Sequence, residues 1–177
     1  MSGRERHPVW RFTGRQRPSI AVQPGPGQES VWDYPRPPAL RPDGRPVEVR
    51  DGDTLLARTD ASLRLCETAS PPTFYLPPGA VEMELLVPVS GSSVCEWKGA
   101  ASYFALRRAP GIPVAWTYPR PRARYARLKD YVAFYPGRVA CFVEGVRVEP
   151  QPGRFYGGWI TPDVVGPFKG SPGTGYW

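Results

Sequence analysis

Apolar and polar residues alternate in short runs along most of this chain, and turn residues punctuate nearly every run. Val47-Glu48-Val49-Arg50 and Thr54-Leu55-Leu56-Ala57-Arg58 flank Asp51-Gly52-Asp53, which predicts a β-hairpin around an Asp-Gly turn. Leu63 to Thr68 alternates as another strand, with Leu63, Leu65 and Glu67 on one side and Cys66 on the other. A carboxylate on an apolar strand face must find a partner or gain a proton, so Glu67 is a candidate site residue, with an edge salt bridge as the alternative. Phe74-Tyr75-Leu76 reads as a short strand between proline pairs. Gly79 to Met83 fits one helical turn, and Glu82 to Val87 returns as a strand. Tyr103 to Leu106, Val114 to Tyr118 and Tyr131 to Tyr135 follow. Val139 to Val143 and Val146 to Val148 form a last hairpin around Glu144-Gly145.

Composition agrees with this pattern. The 177 residues include 24 Pro and 19 Gly, and 41% of them are apolar. That density of proline nearly excludes long helices. A mainly β fold with one or two short helical turns is therefore expected. The length suits one domain and a tail. Residues 1–28 read as a flexible Arg/Pro/Gly-rich arm and residues 29–177 as a single domain. Within the opening of that domain, Trp32, Tyr34 and Arg36 form either an aromatic strap over the core or part of a site.

The net charge of +7 is concentrated in the arm, where Arg4, Arg6, Arg11, Arg15 and Arg17 face Glu5 alone. The arm is a disordered leader or a basic contact for nucleic acid or an acidic partner. The run from Arg120 to Lys129 is a solvated basic loop entering a short helix, or a phosphate-facing patch. Cys66, Cys95 and Cys141 make an odd count with no secretory signal, which argues for reduced thiols. No apolar run reaches the length of a membrane span. A soluble cytoplasmic protein is expected, with no membrane partner.

The richest stretch chemically is Ser93 to Tyr103, which gathers Cys95, Glu96, Trp97, Lys98 and Tyr103. A zinc site is not expected: the cysteines stand far apart, and the single histidine, His7, lies in the arm. No other cofactor is indicated. Lys98 follows Cys95 by three residues, opposite it on a strand but able to meet it in a turn. Glu67, Lys98 and Tyr103 are the candidates for acid–base work, and Cys95 for a nucleophile. Trp32, Trp97, Trp116, Tyr118, Tyr135, Tyr156 and Trp159 lie near turns. They either wall a cage for a planar or cationic ligand or fill a core short of Leu and Ile. The glycines around Tyr156 let backbone approach a ligand or let the tail turn.

The motif Cys95-Glu96-Trp97-Lys98-Gly99-Ala100-Ala101-Ser102-Tyr103 resembles that of a bacterial family known as domain of unknown function 427, with Glu96 in place of its usual proline. Four further motifs agree in order: Glu67 with Pro72 and Phe74-Tyr75-Leu76-Pro77; Ala115-Trp116-Thr117-Tyr118-Pro119; Tyr131 to Pro136; and Phe155-Tyr156-Gly157-Gly158-Trp159-Ile160-Thr161. The two ends of residues 29–177 look like those of the longer actinobacterial members. The resemblance implies a β-tent, two antiparallel sheets leaning together, similar to zinc-bearing domains that hold small cyclic ligands in an aromatic cage. Their paired cysteines are missing here. The family has also carried a nucleotidyltransferase label. That chemistry wants clustered carboxylates or a glycine-rich phosphate loop, and this chain has neither.

Three readings follow. The first is a β domain that binds a small planar or nucleoside-like ligand in an aromatic pocket. The second is a small enzyme acting in the same pocket. The third is an interaction module that binds nucleic acid or an acidic partner through its Arg-rich segments. The sequence does not decide between binding and catalysis, nor does it give an oligomeric state.

Overall fold

A computed structural model of the chain describes residues 10–177. In chain order the strands are β1 (Glu29–Ser30), β2 (Ala39–Asp43), β3 (Val47–Asp51), β4 (Thr54–Thr59), β5 (Ser62–Cys66), β6 (Thr73–Tyr75), β7 (Leu86–Cys95) and β8 (Gly99–Leu106). They continue with β9 (Ala109–Thr117), β10 (Val132–Phe134), β11 (Ala140–Val143), β12 (Val146–Arg147), β13 (Glu149–Pro150), β14 (Trp159–Ile160) and β15 (Val164–Val165). Helical structure among the described residues is limited to short 3₁₀ turns, the longest being Ala123–Leu128. The mainly β expectation therefore holds. Two four-stranded antiparallel sheets dominate, in the orders β10-β9-β8-β7 and β12-β11-β3-β4. A three-stranded sheet, β2-β5-β6, is added to them.

The predicted hairpins form where their turn residues allow. β3 pairs with β4 around Gly52, whose φ is +58°. β11 pairs with β12 around Glu144 and Gly145, at φ +52° and +77°. Two successive positive φ values match the right-handed twist of a two-residue hairpin.

Two apolar cores share their dividing strands. Phe74 of β6 and Val132 and Phe134 of β10 enter a first core with Val47, Val49, Leu56 and Trp159. Their neighbours Tyr75, Ala133 and Tyr135 face the opposite way, into a second core with Leu63, Leu65, Trp97, Trp116 and Tyr118. Side chains alternate across a strand, so each strand contributes to both cores. β6 and β10 adjoin through reciprocal Leu76–Val132 backbone hydrogen bonds of 2.8 and 2.9 Å.

The N-terminal arm departs from expectation over residues 10–28, which lie against the domain. Phe12 packs edge-on against Trp32, with centroids 5.2 Å apart. Arg17 forms a two-pronged ion pair with Asp33 at 2.6 and 2.7 Å. The Cβ position of Gly14 is 2.3 Å from the Tyr34 carbonyl oxygen, so only glycine fits that approach. Trp10 and Phe12 account for the difference: their apolar surface gains more by burial than the flanking Arg, Pro and Gly composition suggests. Arg4, Glu5, Arg6 and His7 lie outside the described residues.

Candidate functional site

The second core is not filled to the surface. It opens into a cavity of about 240 Å³ lined from three directions. The β7–β8 turn contributes Cys95, Glu96, Trp97 and Lys98; the sheet contributes Tyr103, Trp116, Tyr118 and Tyr135; Glu67, Tyr75, Phe155 and Tyr156 complete the wall. Cys95 and Gly99 are the last paired residues of the hairpin, so Glu96, Trp97 and Lys98 form its loop. This is the turn geometry in which Cys95 and Lys98 can share a side. Gly99 makes it possible with a φ of +104°.

Lys98 lies inside this loop, 8% exposed, with Nζ 5.4 Å from the centre of the Tyr118 ring. Burial works to lower its pKa, but Tyr75, Cys95 and Glu67 overturn that, and the ammonium holds its proton more firmly than a free lysine does. The phenols nearby move the same way for a simpler reason. Burial pushes Tyr118 and Tyr135 well above the usual tyrosine range, so they stay neutral.

Glu67 follows the end of β5 and meets a partner 31 residues earlier in the chain. Arg36 Nε donates to Glu67 Oε1 at 3.0 Å, and Trp97 Nε1 donates to the same oxygen at 3.4 Å. The other Arg36 nitrogens donate to the carbonyls of Phe12 and Thr68 at 2.9 and 3.0 Å. The guanidinium also stacks 4.1 Å from the centre of the Trp10 ring. Arg36 thus ties the cavity's carboxylate to the N-terminal segment. The two alternatives for Glu67 coexist: it is salt-bridged and it lines the cavity.

The aromatic walls are held by their neighbours. Trp116 packs on Tyr135 at 4.4 Å and edge-on to Tyr75 at 6.3 Å. Tyr103 shares a 2.6 Å hydrogen bond with Ser93. A Cβ on Gly157 would lie 2.3 Å from Cη2 of Trp116 and 3.1 Å from Tyr135. The glycines of this segment therefore serve close backbone approach to the indole. Gly158 is equally confined, with its Cβ position 2.4 Å from Oε1 of Gln151.

Trp32 and Trp159 are corrections to the expected wall. Trp32 is fully buried in a third cluster with Val31, Tyr34, Cys66 and Val164. Trp159 is fully buried in the first core, stacked on Phe74 at 4.9 Å, and its indole nitrogen donates to the Phe134 carbonyl at 2.9 Å. Strand pairing decides the second case, because β14 pairs with β13 and directs Trp159 inward while Tyr156 reaches the cavity. Tyr34 likewise belongs to the core, not the site.

Sequence reasoning overlooked Lys169. It is 4% exposed and lies between Trp10 and Tyr156, with ring centres 4.4 and 5.5 Å from Nζ. Burial and the Arg36 charge lower its pKa. Its neighbours in sequence, Phe168 and Gly170, give no sign of a site, because both aromatic partners are distant in the chain. Among the described residues, no three His, Cys, Asp or Glu side chains cluster as metal ligands. Among the same residues, no helix is long and apolar enough to cross a membrane.

No curated protein matches the chain. The family described as Domain of unknown function (DUF427) matches residues 39–145. That span runs from β2 to the β11–β12 turn and contains Glu67, Cys95, Trp97, Lys98, Tyr103, Trp116, Tyr118 and Tyr135. Tyr156, which lines the cavity, lies beyond it, as do Arg36, which binds Glu67, and Lys169, which packs against Trp10 and Tyr156. The match covers more than half of the chain, and the chain belongs to the DUF427 family.

Proposed function

We propose that this β domain binds a small planar or nucleoside-like ligand in the aromatic cavity. The supporting observation is convergence. Glu67, Cys95, Trp97, Lys98, Tyr103, Trp116, Tyr118, Tyr135 and Tyr156 come from separate segments and line one concave space. Concave, largely aromatic pockets with a few polar anchors are the usual form of small-ligand sites. A cavity of about 240 Å³ suits one or two rings and is too small for a dinucleotide. Residues 29–177 form the ligand-binding unit, and the segment before it serves as a strap.

Acid–base catalysis in the same cavity has less support. An effective general acid or base has a pKa near the working pH. Lys98 is driven away from neutrality, and Oε1 of Glu67 already accepts from Arg36 and Trp97.

The test is a thermal-shift screen of nucleosides, nucleobases and one- or two-ring heterocycles, against wild type and Trp116→Leu. A ligand at a hundred times its Kd stabilises by about 2.7 kcal/mol, which for a chain of this size raises Tm by roughly 5–11 °C. The expected result is a compound that shifts the wild type and loses its effect on the variant. No shift of the wild type by any compound would overturn the reading.

A further inference from the structure

We infer that the ligand of this cavity is a planar monoanion, with its charged group set against Lys98, and that organic cations are excluded. The inference rests on the ligand-binding reading above and adds the sign of the charge. Aromatic boxes ordinarily favour cations, because the face of each ring carries negative potential. In this box the cation seat is already taken. Lys98 is 8% exposed and sits over the Tyr118 ring at 5.4 Å. A second cation in the cavity would lie close to that ammonium, and like-charge repulsion opposes it.

The ionic balance around the cavity points the same way. Arg36, Lys98 and Lys169 are 9%, 8% and 4% exposed. The carboxylates that act on them are Glu67 and Glu96. Glu67 is committed to Arg36 at 3.0 Å, and among the described residues Lys98 and Lys169 make no ion pair. Lys98 lines the cavity, and Arg36 and Lys169 stand behind its wall against Glu67 and Tyr156, so three buried cations are set against two carboxylates, one negative charge short of neutrality. A single negative charge entering with the ligand balances this excess, whereas a neutral ligand leaves it and a cation enlarges it. The neutral phenols of Tyr118 and Tyr135 remain O–H donors, which suits an acceptor-rich anion.

The test uses the full chain and ring-matched probes that differ in charge: nicotinate, nicotinamide and 1-methylnicotinamide, with 2-naphthoate and 2-naphthamide as a two-ring pair. Affinities are read by calorimetry and thermal shift on wild type and Lys98→Met. The expected result on wild type is that a carboxylate binds at least about tenfold more tightly than its amide, the margin of one charge-assisted hydrogen bond, while the cation does not bind. In Lys98→Met that preference falls to about twofold or less, and the cation gains affinity as the ring face opens. The wild-type series decides the matter even if the variant does not fold. A wild type that prefers the amide or the cation overturns the anion inference and leaves the ligand-binding reading in place. An unchanged carboxylate preference in a folded Lys98→Met also overturns it. Failure of every probe, in every charge class, overturns both.

Discussion

Replacing Arg36 with methionine keeps much of the side chain's apolar stem and removes the guanidinium. The loss is calculable from its surroundings. One charge-assisted bond to Glu67 disappears, together with two bonds to the Phe12 and Thr68 carbonyls and the stack on Trp10. Breaking a fully buried ion pair from one side costs about 3–5 kcal/mol, chiefly because the remaining charge is stranded. The Arg36 side chain is 1% exposed but that of Glu67 is 21%, so water still reaches the carboxylate and the lower end applies. A loss of about 3 kcal/mol is expected, which lowers Tm by roughly 6–12 °C. Urea unfolding with an unchanged m-value measures it, with Glu67→Gln and the double variant completing a cycle. Because the penalty lies in the stranded charge, the double variant is expected to recover at least about 1 kcal/mol relative to the sum of the singles. A loss below about 1 kcal/mol in Arg36→Met, or strict additivity, would refute the view of Arg36 as the clamp on Glu67.

Three other outcomes follow. Gly157→Ala places a methyl group against Trp116 and is expected to cost about 1–3 kcal/mol in chemical unfolding, with weaker binding of any ligand found; a neutral effect would mean the indole yields freely. In native protein, a thiol reagent at pH 8 is expected to modify Cys95 alone, since Cys66 and Cys141 are 0% exposed and burial raises Cys66 to about 11; mass spectrometry showing early labelling of either buried thiol would contradict this. Burial works to raise Asp43, but the bonds from Arg45 overturn it and hold the carboxyl below its ordinary value. Its stabilising effect is therefore present above about pH 4, the unfolded value, and is lost as pH falls through the folded one. Asp43→Asn should be less stable than wild type near neutrality, with the gap in Tm closing toward pH 2.5; a constant gap would exclude the linkage.

The sequence was informative where one local rule decided the structure. The Asp51-Gly52 and Glu144-Gly145 turns fixed two hairpins, and the alternation from Leu63 to Cys66 correctly set the apolar side against the cysteine. The stretch from Ser93 to Tyr103 stood out because it gathers a thiol, a carboxylate, an indole, an ammonium and a phenol, and the fold sets Cys95, Trp97, Lys98 and Tyr103 around one cavity. Trp32 and Trp159 were not separable from Trp116 by the same reasoning, since an indole in a core and an indole in a wall have identical local patterns. Only strand pairing and long-range stacking distinguish them. Arg36 and Lys169 were illegible as site neighbours for a related reason: their partners are brought together by the fold, from Trp10 at one end to Tyr156 at the other.

The two cores have a consequence for how such a chain can diverge. On β6, and at the end of β10 where Tyr135 follows Phe134, each residue that faces the cavity is flanked by one that supports the fold. Point substitutions at Tyr75 or Tyr135 can reshape ligand preference while Phe74 and Phe134 keep the domain together. An insertion or deletion of one residue in either strand has no such freedom. It rotates a phenol into the first core and a phenyl ring into the cavity, damaging stability and recognition together. Lineages carrying this domain should therefore vary at the cavity-facing positions of these two strands, keep the core-facing ones apolar, and hardly change their length.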